Sequence, residues 1–298
     1  MHYDVIVVGG SFAGASAAMQ LVRARRQVLL IDAGQPRNRF ARASHGFLGQ
    51  DGVAPHEIMA LARQQLQAYP SFTALDAYVT QASADAGGVA ITLEDGRHFR
   101  ARRLILASGV RDELPAIPGL QERWGQSVIH CPYCHGYEVR DQRLGVIATN
   151  PLSAHQGLML PDWGPTTYFT QGKFEPEQQE LAQMQKRGVH LERTPVVAVL
   201  GAAPSIQAVA LEDGRTVALD ALFVGPRVHM ASPLAMQLGC AFGEGPMGPY
   251  ILTDELRQTS IAHVFAAGDA AAPFHNGTMA SATGVMAGVS VHRSLFMA

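Results

Sequence analysis

Two kinds of apolar run alternate along the chain. Residues 3–8 read as a continuous apolar strand that ends in Gly9-Gly10, and Gln27–Ile31 reads as a second buried strand ending at Asp32. Between them, Ala13–Arg25 carries the small-residue spacing of a helix packed tightly on a sheet. Together these segments predict a β-α-β unit. Farther on, Ile91–Leu93, Glu94-Asp95-Gly96 and Arg102–Leu106 predict strand, tight turn and strand, and Leu104–Gly109 closes that segment. Pro115, Pro118 and Gly119 mark a linker. A second β-α-β-like region runs from Leu144 to about Val224, with a hairpin turn at Glu212-Asp213-Gly214. The three glycines and one proline of Gly243–Gly248 predict a return crossing. The fold class expected is therefore α/β. Two Rossmann-like three-layer dinucleotide-binding domains are expected, the second (115–242) inserted into the first (1–114 and 243–298).

Composition narrows the function. The chain has 298 residues, 47% of them hydrophobic and only 16% charged, with a net charge of −2. No basic stripe predicts nucleic acid, and no apolar run reaches membrane-spanning length. The first strand starts at Tyr3 without a charged n-region, so the expectation is a soluble cytoplasmic protein. Three cysteines are too few for a structural disulfide framework. Cys240 stands alone and reads as a small buried hydrophobe.

The glycine turn has a physical reading. Gly9 and Gly14 let the backbone approach a pyrophosphate closely, while the helix N-terminus at Phe12 and Ala13 offers free amides and positive dipole. Asp32, about twenty positions on, accepts hydrogen bonds from a ribose diol. Ser11 stands where the middle glycine of G-x-G-x-x-G is expected.

The other chemical feature is Cys131-Pro132-Tyr133-Cys134-His135. A C-x-x-C-H string also satisfies the c-type haem attachment pattern, but haem attachment belongs to exported chains. Zinc held by His130, Cys131, Cys134 and His135 is the other rival; four near-adjacent side chains converge poorly on one tetrahedral centre, and no second C-x-x-C is present. No metal is expected. Redox chemistry remains: a thiol reacts as thiolate, and His135 can exchange its proton near neutral pH.

These motifs, with Gly109 and the late Gly268-Asp269 pair, occur in the order found in the low-molecular-weight thioredoxin reductases, and the chain resembles that flavin-dependent family over essentially its whole length. The resemblance implies FAD as cofactor, a homodimer, Cys134 as the flavin-facing thiol and Cys131 as the interchange thiol. It places Asp269 at the ribityl or phosphate region, and points the helix expected after Asn276 at the flavin. His45 approaches the flavin by the same analogy, but reads more simply as a packing residue.

The inserted domain departs from the family. The strand Leu144–Ile147 runs into Ala148-Thr149-Asn150-Pro151-Leu152-Ser153, which lacks every glycine of an NADPH turn. Thr170-Gln171-Gly172 stands where the family carries its arginine segment, leaving Lys173 as the nearby cation. That pattern, together with His135 directly after the second cysteine, resembles the dithiol oxidases that close disulfides in gliotoxin-type and holomycin-type compounds. The function expected is oxidation of a small-molecule dithiol with O2 as acceptor. The alternatives are a thioredoxin-type reductase fed by NADPH, ferredoxin or another donor, and a flavin-dithiol redox sensor.

Overall fold

The computed structural model describes residues 3–297. Its first strand, Tyr3–Val8, pairs in parallel with Val28–Asp32 on one side and with His98–Leu106 on the other. Val5 and Val7 face one apolar cluster, with the helix residues Ala17 and Leu21; Ile6 and Val8 face another, with Leu93 and Leu104. A central strand covered on both faces reads as an unbroken apolar run for this reason. Each such Val, Ile or Leu contributes roughly 1.5–3 kcal/mol by its burial.

The chain divides into two compact units. The first comprises 1–39, 56–111 and 228–298. Its seven-stranded sheet runs, in spatial order, 72–76, 28–32, 3–8, 98–106, 88–93 and 79–85, with Val264–Ala266 also pairing with 98–106. The 88–93 and 98–106 strands are antiparallel around Glu94-Asp95-Gly96, as expected. Helices Phe12–Arg23 and Gly277–Phe296 pack closely: a Cβ on Gly284 would lie 2.1 Å from the Ala13 carbonyl oxygen, and one on Gly288 2.6 Å from that of Ala17. Only glycine fits those two positions.

The second unit comprises 40–55 and 112–227. Its parallel sheet has the order 190–192, 166–169, 144–147, 221–224 and 128–129. A three-stranded antiparallel sheet (196–200, 208–211, 216–218) includes the hairpin expected at Glu212-Asp213-Gly214. Helices Ser153–Met159 and Gln178–Lys186 flank the parallel sheet.

The return crossing differs from expectation. The chain re-enters the first unit at 228, not at 243, because Leu234, Ala235 and Cys240 lie in the first unit's core. The glycines of 243–248 instead serve an antiparallel hairpin, Phe242–Gly245 with Gly248–Ile251. The outward crossing falls at 112, ahead of the prolines. Among the described residues, no helix is long and apolar enough to cross a membrane.

Candidate functional site

Each unit carries a turn at the carboxyl end of its central strand, where an open parallel sheet presents a ligand crevice. In the first unit that turn is Gly9–Gly14. Gly9 has φ +102°, and a Cβ there would stand 2.2 Å from the Ala107 carbonyl oxygen; one on Gly14 would stand 1.8 Å from the Gly9 carbonyl oxygen. Ser11 is the N-cap of the following helix, and its side chain makes no capping hydrogen bond. Phe12 and Ala13 open that helix. Asp32 ends the neighbouring strand, its Cβ 2.8 Å from where a Cβ on Gly10 would be. Beside it opens a cleft of about 480 Å³, lined by Asp32, Gly34, Gln35, Asp76 and Tyr78 among others.

The late motif closes on the same turn. A Cβ on Gly268 (φ +74°) would stand 2.8 Å from that of Ala13, and the Gly268 amide donates to Thr283 Oγ1 at 2.9 Å. Asp269 accepts a hydrogen bond from Arg37 Nη1 at 3.1 Å, and the same nitrogen lies 2.7 Å from His275 Nδ1. Asn276 caps the long helix, accepting from the amides of Thr278 and Met279. Gly109, with φ +69°, turns the chain two residues beyond Ala107. A backbone cleared of Cβ atoms at a helix N-terminus, with a carboxylate at the next strand end, fits a dinucleotide. Arg37 was not visible in the sequence pattern; it comes from a short 3-10 turn without a motif.

The corresponding turn of the second unit is built differently. The strand Leu144–Ile147 is flanked by 166–169 and 221–224, so its carboxyl end is the crevice of that sheet. There the buried Ser153 hydroxyl accepts hydrogen bonds from the amides of Thr149 (3.0 Å) and Asn150 (3.3 Å). Thr149 Oγ1 donates to the Gly225 carbonyl at 2.6 Å. Amides that a glycine turn would aim at a phosphate are thus held by the chain itself. Gln171 makes a two-way clamp with the Val196 backbone at 2.8 and 3.2 Å. Lys173 is exposed.

Cys131 and Cys134 form a disulfide, Cα–Cα 5.2 Å. Cys131 is the N-cap of the turn Pro132–His135, and its Sγ accepts from the Cys134 amide at 3.2 Å. His135 stands at the end of that turn, largely sheltered. Burial, reinforced by the neighbouring His45 and opposed by Glu138, pushes its imidazole below the ordinary histidine pKa. It is therefore neutral at neutral pH. His45, expected to pack, instead sets its ring edge-on to that of His135 (centroids 5.9 Å apart), with Nδ1 3.6 Å from Glu138 Oε1 and 3.5 Å from Asp51 Oδ1. His130 stands apart from this group: its carbonyl accepts from Gln156 Nε2, and its Nδ1 lies 3.3 Å from the Val224 carbonyl. Cys240 is buried, and desolvation pushes its thiol pKa up.

The pyridine nucleotide-disulphide oxidoreductase profile matches residues 3–147 and 172–288. The skipped stretch, 148–171, includes the Thr149–Ser153 turn and Gln171. The chain is 33% identical over 299 residues to thioredoxin reductase tcpT of Claviceps purpurea, covering 96% of this chain and 92% of that one. It is 30% identical over 308 residues to thioredoxin reductase sirT of Leptosphaeria maculans, covering 97% and 93%. The crystal structure of an oxidoreductase from Agrobacterium tumefaciens superposes with a TM-score of 0.95 at 49% identity, covering 100% of this chain and 99% of that one.

Proposed function

The chain belongs to the pyridine nucleotide-disulphide oxidoreductase family, as a flavin-dependent disulfide oxidoreductase of thioredoxin reductase type, and from that premise we propose that it oxidises a small-molecule dithiol, with FAD as cofactor and O2 as terminal acceptor. The observation that carries this reading is the second unit's turn. Ser153 Oγ takes the amides of Thr149 and Asn150, and Gln171 is tied to the Val196 backbone. A 2′-phosphorylated nucleotide needs donors and positive charge to offset its desolvation. With the donors engaged and the arginine segment absent, the usual source of electrons for reduction is missing. Electrons then enter from the thiol side.

The residues divide the work. Gly9, Ser11, Phe12, Ala13 and Gly14 hold the pyrophosphate of FAD, Asp32 its ribose, and Gly109, Gly268 and Asp269 its remaining length. FAD, when bound, supplies a two-electron acceptor that O2 restores, with formation of H2O2. At the Cys131–Cys134 disulfide, a substrate thiolate attacks Cys131 and releases Cys134 as thiolate. His135, neutral through burial, takes the proton of the substrate's second thiol. That thiolate attacks the substrate sulfur of the mixed disulfide and frees Cys131. The product leaves as a disulfide, and its two electrons remain on the enzyme dithiol for transfer through Cys134.

An oxygen electrode tests the proposal. A small dithiol, the reduced form of a holomycin-type or gliotoxin-type disulfide, should drive O2 uptake with stoichiometric H2O2 in the wild type, and neither Cys131→Ser nor Cys134→Ser should sustain it. The two variants should differ in colour: Cys131→Ser leaves a Cys134 thiolate to give a long-wavelength band with oxidised flavin, and Cys134→Ser does not. Undiminished O2 uptake in either variant contradicts the assignment.

A further inference from the structure

The redox turn carries a second cluster that the dithiol chemistry does not absorb. The loop 40–55 belongs to the second unit and brings His45 beside His135 and Glu138. One ligand atom from each of the three lies within 4.8 Å of the others. His135 and Glu138 are three residues apart across consecutive short helical turns, so one local backbone presents both. His45 comes from a separate loop, where Asp51 adds a second carboxylate 3.5 Å from its Nδ1. The Glu138 side chain is 39% exposed, whereas that of His45 is 20% exposed.

We infer that His45, His135 and Glu138 form an open, three-ligand Zn²⁺ site that, when occupied, engages the ring of His135. Two imidazoles and one carboxylate are the donor types zinc takes with one position left for water, at ligand distances of about 2.0–2.2 Å. Tetrahedral donors at those lengths stand about 3.3 Å apart, so with every pair within 4.8 Å no pair needs to close by more than about 1.5 Å. His45 Nδ1 already stands 3.6 Å from Glu138 Oε1, so most of that closure falls to His135. Magnesium and calcium prefer oxygen ligands and fit two imidazoles poorly. The Cys131 and Cys134 sulfurs are joined to each other and offer no thiolate in the oxidised protein. Zinc held by His135 occupies the ring nitrogen that takes the thiol proton and so inhibits dithiol oxidation; that consequence rests on the proposed role of His135, whereas the binding site does not.

The test is equilibrium dialysis of the air-oxidised, FAD-loaded protein against micromolar ZnCl₂, with bound zinc read by mass spectrometry and its ligands by X-ray absorption. The wild type should retain stoichiometric zinc with a nitrogen/oxygen shell. A Cys131→Ser/Cys134→Ser double variant should retain it too, while His45→Ala and Glu138→Gln should each lose at least tenfold in affinity. No bound zinc, sulfur in the shell, or binding unaffected by His45→Ala overturns the site. The consequence is read by stopped-flow flavin bleaching with a dithiol under nitrogen. Added zinc should slow the wild type at least tenfold more than it slows His45→Ala, which meets the same zinc–dithiol mixture; equal slowing overturns the inhibitory role. Failure of dithiols to bleach the flavin at all, with zinc still bound, sinks the oxidase reading and leaves the metal site standing.

Discussion

Replacing Ser153 by alanine tests whether the second unit's turn is held by its own hydroxyl. Ser153 is 5% exposed, and its Oγ accepts from two backbone amides, Thr149 at 3.0 Å and Asn150 at 3.3 Å. Each hydrogen bond contributes about 1 kcal/mol net, and an amide left without a partner in a buried place costs about 1–3 kcal/mol. Thr149 and Asn150 are only partly buried, so water offsets part of the loss. The expected cost is about 1–3 kcal/mol. With a urea m-value of about 2 kcal/mol/M, a loss of 2 kcal/mol lowers the midpoint by about 1 M. Both tryptophans, Trp124 and Trp163, lie in the second unit, so tryptophan fluorescence reports that unit directly. A midpoint within about 0.2 M of wild type would refute the idea that Ser153 carries these amides. Freed amides alone should not create a working NADPH site, because the cationic segment is still absent. Fast flavin reduction by NADPH in Ser153→Ala would show that the hydroxyl, and not the missing charge, is the block.

Four further outcomes follow from the geometry. His135→Ala should slow dithiol oxidation by about two to four orders of magnitude with FAD content unchanged. In the wild type the rate should rise with pH through a pKa below the ordinary histidine value and then level off, because burial favours the neutral base; a rise centred well above pH 7 contradicts this. Gly284→Ala puts a Cβ 2.1 Å from the Ala13 carbonyl oxygen and should cost about 3 kcal/mol or more by forcing the two helices apart, read as loss of FAD retention; a variant as yellow as wild type refutes it. After reduction of the native protein, a thiol reagent should label Cys131 and Cys134 quickly and the buried Cys240 only on unfolding; three equally fast thiols would contradict its burial.

Legibility followed the range of the interactions. Gly9, where a Cβ would meet the distant Ala107 carbonyl, is readable only from its place in the motif, whereas Gly14 is readable because its constraint is local, a Cβ there meeting the Gly9 carbonyl within one strand–helix turn. The C-x-x-C turn and both hairpins were readable for the same reason. Three features were not. The return crossing has no signature of its own, because the glycines of 243–248 serve a hairpin, and a linker and a tight hairpin share one composition. The absence of a glycine turn after Ile147 was plain, but not what replaced its ligand; Ser153 reaches back four residues to Thr149 only once the helix is formed. His45 carries no sequence signal beyond packing, because its partners, His135 and Glu138, lie some ninety residues away and meet it only through the loop 40–55. Their spacing of three offered a local hint, but the third member had no signature.

On the proposed function, electrons enter this flavoprotein from a dithiol and not from a pyridine nucleotide. Anaerobic stopped-flow absorbance of the FAD-loaded protein measures it directly, with NADPH, NADH and a small dithiol each mixed at millimolar concentration. The dithiol should bleach the flavin quickly, both nucleotides should do so only very slowly, and admitting air should restore the oxidised spectrum with H2O2 formed. Rapid bleaching by either nucleotide contradicts the account and makes the chain a reductase.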